Sequence, residues 1–529
     1  MIIDVNKLDS NATITSDICI MGGGVAGIVL ANELKKHNKS IVIIESGDEV
    51  LNPETQSLYS GDVINDIYPN PEYSRLRMLG GSSNHWENNT SPLDKMDFEK
   101  REWVDNSGWP IQLSDLEDYY LKAGVYCGTK NDGYQTQTWA ARLNHEVLGS
   151  KRNILETGIA KVSTPPVRFF TEYGKALSEA ENVKIYKNSN IVDIDYNSSS
   201  EKIEKVYFET SPGKRHTVDS KIFIMCFGGL ENARMLLHFN QKNSNKIGNY
   251  YDNVGRYFMD HPVVRAGQLF PNDIERFSLY QGNDLETRVV LGYFKLSEST
   301  LKKNKLNNIR VPLVANTNYI MSDGISSSHI LGDALSAGEL PDDFSSHITN
   351  ILKDIDMIAE GVSRKKFDTK LFDKADEIYG YQLPIMLEQT PDRNNRIILG
   401  EKNDIYGIKK IVIDWKLKEA DKANLWKSLE IIAQEFGAES LGRIRMLKER
   451  SIRIWRDQLG FGHHHMGTTR MSSDYKKGVV DKKHLVYSTK NLFIAGSSVF
   501  PTGGHVPPTL TIVAMSIRLA DIISKEHLV

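Results

Sequence analysis

Residues 17–45 read DICIMGGGVAGIVLANELKKHNKSIVIIE, and this stretch decides the fold. Its opening residues form a short apolar run that predicts a buried β-strand. A G-x-G-x-x-G sequence follows at once, then an apolar helical pattern and a second short strand that ends in Glu45. Strand, glycine turn, helix, strand and acid in this order predict a βαβ unit that binds a dinucleotide.

Each position of the glycine motif has its own physical reason. Gly22 permits the tight turn, Gly24 lets the backbone approach a pyrophosphate, and Gly27 lets the helix pack on the strand. The helix N-terminus adds partial positive charge for the phosphates. Glu45 would accept hydrogen bonds from a ribose and repel a 2′-phosphate, which argues against NADP. The alternative is a glycine turn with a purely structural purpose.

The composition excludes several classes of protein. The 529 residues suit two or three domains, and 65 Lys and Arg against 68 Asp and Glu give a net charge of −3, so we expect no nucleic-acid partner. Three scattered cysteines are too few for a disulfide framework. The N-terminus lacks a secretory signal and no run of about 18 apolar residues occurs, so we expect a cytoplasmic protein without a membrane span.

A second informative segment, RMLGGSSNHW, spans residues 77–86. Its glycines and serines predict a loop whose backbone N–H groups can wrap a flat ring or a phosphate. The residues that follow them, His85 and Trp86, are suited to lie along a heterocycle. The alternative is a Gly/Ser turn closed by a tryptophan of the core.

A third segment, FGHHHMGTTRM at residues 461–471, contains three consecutive histidines. In an extended chain His464 faces the opposite side from His463 and His465, so the three cannot bind one metal ion. No cysteine or carboxylate cluster lies beside them in the sequence, and we predict no metal site. Their place before a glycine turn favours a base in a pocket. Farther along, a helix is predicted to begin near Pro508.

Taken in order, these segments and the motifs between them resemble the glucose–methanol–choline (GMC) family of flavin oxidoreductases. Two of the motifs look closest to the pyranose-oxidase and gluconate-dehydrogenase branch, which implies a sugar-like or cyclic polyol substrate. The further motifs are SGWPIQLSDLEDYY at 107–120, CFGGLENARMLL at 226–237, VGRYFMDHP at 254–262, EQTPDRNNRIIL at 388–399 and AGSSVFPTGGHVPPTLTIVAMSIRLAD at 495–521.

The resemblance implies an α/β fold, α+β overall, with two domains. A discontinuous Rossmann-type FAD-binding domain takes residues 1–115, 185–264 and 456–529. A substrate-binding domain, built on an antiparallel sheet with helices, takes residues 116–184 and 265–455. The two ends of the chain must therefore meet around one FAD.

The resemblance also implies the reaction, which is the oxidation of a CH–OH group by hydride transfer to flavin N5. The family's base is the histidine three positions before the glycine of the GTxRM turn, which is His464 here. The second member of the family pair, an Asn or His of the following loop, falls on Pro507. Since proline has no side-chain donor, we hypothesise that His505 takes this catalytic role from a shifted loop. The alternative is that His505 only shapes the pocket wall.

The cofactor implied by the resemblance is FAD. His85 matches the position of a covalent flavin link in pyranose oxidases. The resemblance therefore leaves two forms of attachment open, a covalent bond through His85 and non-covalent binding. Glu87 replaces a small polar residue expected near the flavin, which leaves O2, a quinone and a redox protein open as electron acceptors. The predicted cofactor-binding residues are Gly22, Gly24, Val25, Ala26, Gly27, Glu45, Arg77, Gly80, Gly81, Ser82, Asn84, His85, Trp86, Gly228, Ala495, Gly496, Pro508 and Thr509.

Three alternatives stay open. The first is a GMC-type lyase that uses the histidine base without net oxidation, and the second is a catalytically silent FAD-binding protein, suggested by Pro507. The third concerns a predicted helix from Phe344 to Val362, whose apolar stripe packs in the core or docks on a membrane or a partner subunit. The residues of that stripe are Phe344, Ile348, Ile351, Leu352, Ile355, Met357 and Ile358.

Overall fold

The computed structural model describes residues 1–9, 11–64, 67–149, 151–316, 323–336, 341, 343–353, 355, 380–446, 455 and 459–528. Among the helices of these residues, none combines the length and the apolar character that crossing a membrane requires.

The β-strands are β1 Ile2–Asp4, β2 Thr13–Met21, β3 Ile41–Ile44, β4 Gly61–Ile64, β5 Asn89–Thr90, β6 Leu155–Ser163, β7 Val183–Lys187, β8 Asn190–Asn197, β9 Lys202–Glu209, β10 Arg215–Met225, β11 Pro262–Pro271, β12 Asn283–Leu285, β13 Arg288–Leu296, β14 Ile309–Arg310, β15 Val314–Asn316, β16 Gly380–Leu387, β17 Arg396–Asn403, β18 Lys409–Asp414, β19 Gly442–Met446, β20 Leu459–Phe461 and β21 Leu492–Ile494. The α-helices are α1 Val25–Leu34, α2 Pro53–Gln56, α3 Lys95–Phe98, α4 Glu117–Tyr126, α5 Thr136–Leu143, α6 Phe169–Ser178, α7 Gly228–Lys242, α8 Glu298–Asn304, α9 Asp323–Ser336, α10 Phe344–Lys353, α11 Glu419–Ala438 and α12 Thr509–Glu526.

An eight-stranded sheet contains both ends of the chain. Its order is β1-β7-β3-β2-β10-β9-β8, and β21 also pairs with β10. The pairs from β1 to β10 and the β10–β21 pair are parallel, whereas β8 and β9 are antiparallel additions. The register of β10 with β21 sets Phe223 opposite Leu492. The C-terminal strand therefore lies in the same sheet as the N-terminal glycine motif.

The local sequence accounts for the strands around the glycine motif. The predicted strand at 17–21 extends back to Thr13, and the second strand is Ile41–Ile44 as predicted. All four residues of β3 are buried. Parallel strands with helices on both faces are apolar throughout, so they show no alternation of polar and apolar residues. The helix after the motif, α1, packs against α12 from the other end of the chain.

A second core lies among antiparallel sheets. One sheet has the order β14-β16-β11-β19 with β15 and β20 at its side, and another has the order β12-β13-β6-β5. Aromatic side chains fill the space beneath them, and the rings of Tyr280 and Phe294 stack with centroids 4.2 Å apart. These layers confirm the predicted fold class. The domain limits stay a prediction; β7 of the large sheet begins at Val183 rather than at 185.

The predicted helix at 344–362 is described only over Phe344–Lys353, as α10. The interpretation of its apolar stripe as core is wrong for this part, because Phe344 and Leu352 are 44% and 63% exposed. The remaining stripe residues Met357 and Ile358 lie outside the described residues, as does Val362.

An ion pair in the interior joins the loop after α3 to the end of β16. The side chains of Arg101 and Glu388 are 1% and 0% exposed. Arg101 Nη1 donates to Glu388 Oε2 at 2.7 Å, and Nη2 donates to the other carboxylate oxygen. Burial opposes the charge of Arg101, but the Glu388 carboxylate outweighs it and raises the pKa of the guanidinium above its usual range. The guanidinium and the carboxylate therefore each stabilise the charged form of the other in the interior.

Neutralising the Glu388 carboxylate should destabilise the protein, since Arg101 would stay buried without its counter-ion. We expect Glu388→Gln to lower the free energy of unfolding by ~3–5 kcal/mol. Urea denaturation of the FAD-loaded protein measures this change.

Asp62 provides the matched control. Its ion pair with Lys402 lies on the surface, with side chains 60% and 72% exposed. Asp62→Asn should therefore cost less than ~1 kcal/mol. Equal losses for the two variants would contradict the expected effect of burial.

Candidate functional site

A cavity of about 1130 Å³ separates the glycine motif from the antiparallel strands β11, β14 and β16. It is larger than the ~300–1,000 Å³ of most ligand cavities, so it has room for a dinucleotide and a small substrate together. The predicted residues in its wall are Gly22, Gly24, Val25, Ala26, Glu45, Arg77, Gly81, Ser82, His85, Trp86, Gly228, His464, Gly496, Pro508 and Thr509. The predicted residues that lie outside the wall are Gly27, Gly80, Asn84, Ala495 and His505.

The glycine motif forms a turn that leaves no room for side chains at two positions. At Gly22, which has a φ of +113°, a Cβ atom would lie 2.7 Å from the carbonyl oxygen of Cys226. At Gly27 a Cβ atom would lie 2.0 Å from the carbonyl oxygen of Gly22. Gly24 has open space on that side. The first and third glycines are therefore required by packing, and the middle one borders the cavity.

Two helices begin at the cavity without a side-chain cap. The N-cap of α1 is Gly24 and that of α12 is Pro508, and neither offers a side-chain hydrogen bond to the first turn. The start of α12 is as predicted. Uncapped N–H groups at a helix N-terminus attract anionic groups. The wall thus has two places suited to negatively charged parts of a cofactor.

Glu45 lies at the end of β3, where its carboxylate is fixed by the backbone. Oε2 accepts from the N–H of Gly23 and Oε1 accepts from the N–H of Gly47, both at 2.7 Å. Oε1 also accepts from the Ser46 hydroxyl at 3.3 Å, whereas Oε2 keeps a second lone pair that can accept a hydrogen bond from a ligand. This arrangement fits the ribose contact predicted for Glu45.

The segment at 77–86 forms the loop that the glycines and serines predicted. Gly80 and Gly81 have φ angles of +88° and +54°. The side chain of Asn84 donates to the carbonyl oxygens of Leu79 and Gly81, at 2.9 and 3.0 Å. Asn84 therefore shapes the loop from behind, while His85 next to it borders the cavity.

Arg77 contributes a polar atom that needs a ligand. Its Nε is buried and has no hydrogen-bond partner among the described residues, although Nη1 lies 3.6 Å from the Glu231 carboxylate. Burial disfavours the charge of Glu231, but Arg234 and Arg75 outweigh it and lower the pKa of this carboxyl to about 2. A buried donor without an acceptor in the wall fits a bound cofactor that supplies one. With the open glycine turn, the residues present fit FAD.

His464 is paired with a second imidazole that the sequence did not single out. His261 Nδ1 lies 2.8 Å from His464 Nδ1, and His261 Nε2 lies 3.0 Å from the carbonyl oxygen of Gly504. A carbonyl oxygen only accepts, so His261 carries its proton on Nε2 and its Nδ1 is an acceptor. His464 must then carry its proton on Nδ1. Its Nε2 is left with a lone pair and has no partner among the described residues.

Asp260 fixes the backbone of both histidines. Its Oδ1 accepts from the N–H of His261 at 2.6 Å and from the N–H of His464 at 2.7 Å. Its Oδ2 accepts from the hydroxyl of Tyr68 at 2.5 Å. One buried carboxylate thus holds two segments that are far apart in the sequence.

Both imidazoles of the pair are uncharged. Burial lowers the pKa of His261 to about 4. Burial, followed by the proximity of the His261 imidazole, lowers the pKa of His464 well below its usual value. A neutral imidazole with a free lone pair can accept a proton, so His464 can act as a base.

His505 is fully buried behind the cavity wall. Its Nε2 lies 3.5 Å from the hydroxyl of Tyr293 and 3.7 Å from Asp94, and its Nδ1 lies 3.7 Å from Asp97. The preceding residue, Gly504, supplies the carbonyl oxygen that orients His261. This placement does not bring His505 to the cavity, and its loop touches the site through Gly504.

Two groups of side chains bring potential metal-ligand atoms within 4.8 Å of one another, namely Asp260, His463 and His465, and Asp94, Asp97 and His505. The first group includes the carboxylate of Asp260, which is far from the histidines in the sequence. A search among sequence neighbours therefore does not find it. Each oxygen of Asp260 already accepts a hydrogen bond, and Asp94 is held at 2.7 Å by Lys295. The absence of a metal stays a prediction.

Sequence reasoning missed His261, Asp260 and Arg310 as residues of the site. The first two belong to the motif VGRYFMDHP, whose pattern assigns no role to its individual residues. Arg310 lines the cavity from β14, in a region with few recognisable motifs.

The sequence model of the GMC oxidoreductase family matches residues 391–516. Two curated relatives span nearly the whole chain. The large subunit of fructose dehydrogenase from Gluconobacter japonicus is 20% identical over 98% of this chain and 99% of its own length. The 2-methyl-1,2-propanediol dehydrogenase from Mycolicibacterium austroafricanum is 21% identical over 97% and 95%.

The fold has a similar counterpart among solved structures. Pyridoxine 4-oxidase from Mesorbium loti superposes with a TM-score of 0.55 at 15% identity, over 97% of this chain and 99% of the other. At this identity the likeness concerns the fold. The match of residues 391–516 and the two relatives of full length make the chain similar to GMC oxidoreductases and indicate an FAD-dependent enzyme that acts on CH–OH groups of alcohols or sugars.

Proposed function

We propose that this protein oxidises a CH–OH group of a sugar-like or cyclic polyol, with His464 as the general base and hydride transfer to the flavin. The observation that carries this proposal is the hydrogen bond between the Nδ1 atoms of His261 and His464. It assigns the proton of His464 to Nδ1 and leaves Nε2 as the acceptor at the cavity. The likeness to a fructose dehydrogenase and a diol dehydrogenase supports a polyhydroxylated substrate.

The base works on a weak acid. An alcohol gives up its proton only when an acceptor lies within hydrogen-bond reach, and such a group contributes ~10²–10⁴ in rate. His464 is neutral because burial disfavours its charged form. Asp260 holds the His464 backbone, and His261 holds the ring. The base is therefore in the right tautomer before the substrate arrives.

FAD, when bound, supplies the acceptor for the hydride. The chain would hold its phosphates at the glycine turn and at the N-terminus of α1, its ribose at Glu45, and its ring beside the loop at 81–86. The uncapped start of α12 would offer N–H donors to the ring system. Attachment through His85 stays a prediction of the resemblance, supported by the position of this imidazole in the cavity wall.

We assign His505 a positioning role instead of contact with substrate. It anchors the loop whose Gly504 carbonyl orients His261. Pro507, which stands where the family pair expects an Asn, is in the wall and offers no side-chain donor. In this arrangement His261 takes over the task of orienting the base.

Removing the His464 imidazole should slow oxidation without loss of the cofactor. We expect His464→Ala to reduce the rate of anaerobic flavin reduction by ~10²–10⁴, because the hydroxyl proton loses its acceptor. Stopped-flow loss of flavin absorbance with a panel of sugars, glycosides and cyclitols measures this rate. His463→Asn is the matched control, since His463 is exposed and has a φ of +54°, which Asn tolerates.

Three outcomes would contradict the proposed function. Full activity of His464→Ala would remove this residue from the chemistry. Substrate conversion without net flavin reduction would favour a lyase. FAD that no member of the panel reduces would favour a silent FAD-binding protein.

The rate should be insensitive to pH around neutrality. A base acts in its deprotonated form. Because the pKa of His464 is lowered, this residue stays deprotonated down to a pH below the usual histidine pKa of ~6.5. We expect the flavin-reduction rate to be constant from about pH 6.5 to 8 and to fall only at lower pH. An acidic limb centred at or above pH ~6.5 would contradict a buried neutral base.

The role of His261 can be separated from that of the fold by two substitutions. His261→Leu removes the acceptor for the Nδ1 proton of His464, and we expect a ~10–100-fold lower rate of flavin reduction with an altered pH profile. His261→Asn keeps an acceptor oxygen at the same distance along the side chain and should restore most of the rate. Equal losses in both variants, with an unchanged pH profile, would show that His261 does not set the tautomer.

A further inference from the structure

Arg310 lies in the cavity wall and has no counter-ion in the described part of the chain. It ends β14, where its backbone pairs with Met386 of β16. The side chain is 2% exposed, yet it borders the cavity. No described carboxylate lies within 4.0 Å of its guanidinium. A buried charge of this kind is costly unless something in the working protein pairs with it.

The contacts of Arg310 hold the group in place without neutralising it. Nη2 donates to the Asn89 side-chain oxygen at 3.1 Å, and the guanidinium lies 4.4 Å from the centre of the Tyr293 ring. Nε of Arg310 is buried, and none of the residues that the structure describes provides an acceptor for it. Burial lowers the pKa of the guanidinium, and Tyr293 and Glu87 offset this only in part. Several N–H donors are thus left for a ligand.

Two other fully buried arginines, Arg234 and Arg288, are paired with carboxylates. Arg234 contacts Asp404 at 2.6 Å, and Arg288 contacts Asp132 at 2.5 Å. Like Arg310, both belong to the largest fully buried side chains. The fold therefore supplies counter-ions for these two arginines, whereas the third faces the cavity.

We infer that Arg310 binds an anionic group of the substrate, either a carboxylate or a phosphate. The planar guanidinium presents parallel N–H groups that match the oxygens of such a group. The charge of Arg310 also acts on His464, so the anion would lie near the base. This inference rests on the proposed function and narrows its substrate class from neutral polyols to sugar acids, other hydroxy acids or sugar phosphates.

A second role for the charge makes a different prediction. If Arg310 only stabilised negative charge on the reacting oxygen, it would assist neutral and anionic alcohols alike. An anion-binding role affects anionic substrates selectively. The comparison of matched substrates therefore separates the two.

Anion binding can be measured without any oxidation. FAD-loaded protein is titrated calorimetrically with glutarate, inorganic phosphate and the neutral glutaramide, none of which has an oxidisable hydroxyl group. We expect one of the two anions to bind, and Arg310→Met to weaken its binding by ~30-fold or more. The tighter of the two probes identifies the carboxylate or the phosphate class. Equal binding in wild type and Arg310→Met, or no binding of either anion, would overturn the inference.

Turnover gives the second readout. For matched pairs such as glucose with gluconate, glucuronate and glucose 6-phosphate, we expect Arg310→Met to lower kcat/KM ~100-fold for the preferred anion and little for the neutral sugar. Arg310→Lys keeps the positive charge but loses the parallel N–H groups of the guanidinium. Its kcat/KM for the preferred anion should therefore lie between those of wild type and Arg310→Met. Met is apolar and of similar length, so it should not unfold the protein. An equal loss for neutral and anionic partners would overturn the inference.

The control for net charge is Arg265→Met. Arg265 borders the same cavity from β11 but is exposed, so its charge is solvated. This variant should change the ratio of kcat/KM for anionic and neutral substrates by less than ~3-fold, because exposed charges contribute little.

If no alcohol reduces the flavin, the proposed function fails while anion binding is still measurable. If only neutral alcohols react, the proposed function stands and the inference fails.

Discussion

The parallel pairing of β10 with both β2 and β21 is the constraint on which the site depends. Strand β10 continues into the turn before Gly228, β2 into the turn at Gly22, and β21 into Gly496. Because parallel strands present their carboxyl ends at one edge, these three glycine turns meet there. The N-terminal unit and the C-terminal helix can then face one cavity. This pairing brings together in space residues that are separated by most of the chain in the sequence.

The carboxylate of Asp260 makes the second connection, between the two histidines. Burial raises its pKa, and the hydrogen bonds from Tyr68 and His464 work in the opposite direction. The cost of burying this group is offset only while its donors stay in place. Its role is therefore to define the positions of His261 and His464 relative to each other, and hence the tautomer of the base.

The sequence predicted those features that depend on neighbours along the chain. The glycine turn, β3 and the start of α12 follow from periodicity, from the steric freedom of glycine and from the fixed φ of proline. The contact of His261 with His464 joins residues 203 positions apart, so no local pattern shows it. The placement of His505 depends on the path of one loop, and sequence proximity to Pro507 could not decide it. That no described carboxylate pairs with Arg310 becomes apparent only when the residues around it in space are known.

The charge of Arg310 and the basicity of His464 are physically linked. In the cavity without an anion, the guanidinium is one of the charges that lower the pKa of His464. An anionic group bound at Arg310 would weaken this contribution, because opposite charges in close contact act on a third group nearly as a neutral pair. Burial and the three neighbouring imidazoles contribute more to the lowered pKa of His464 than Arg310 does. The neutral state of His464 therefore depends mainly on burial, and Arg310 adds to it.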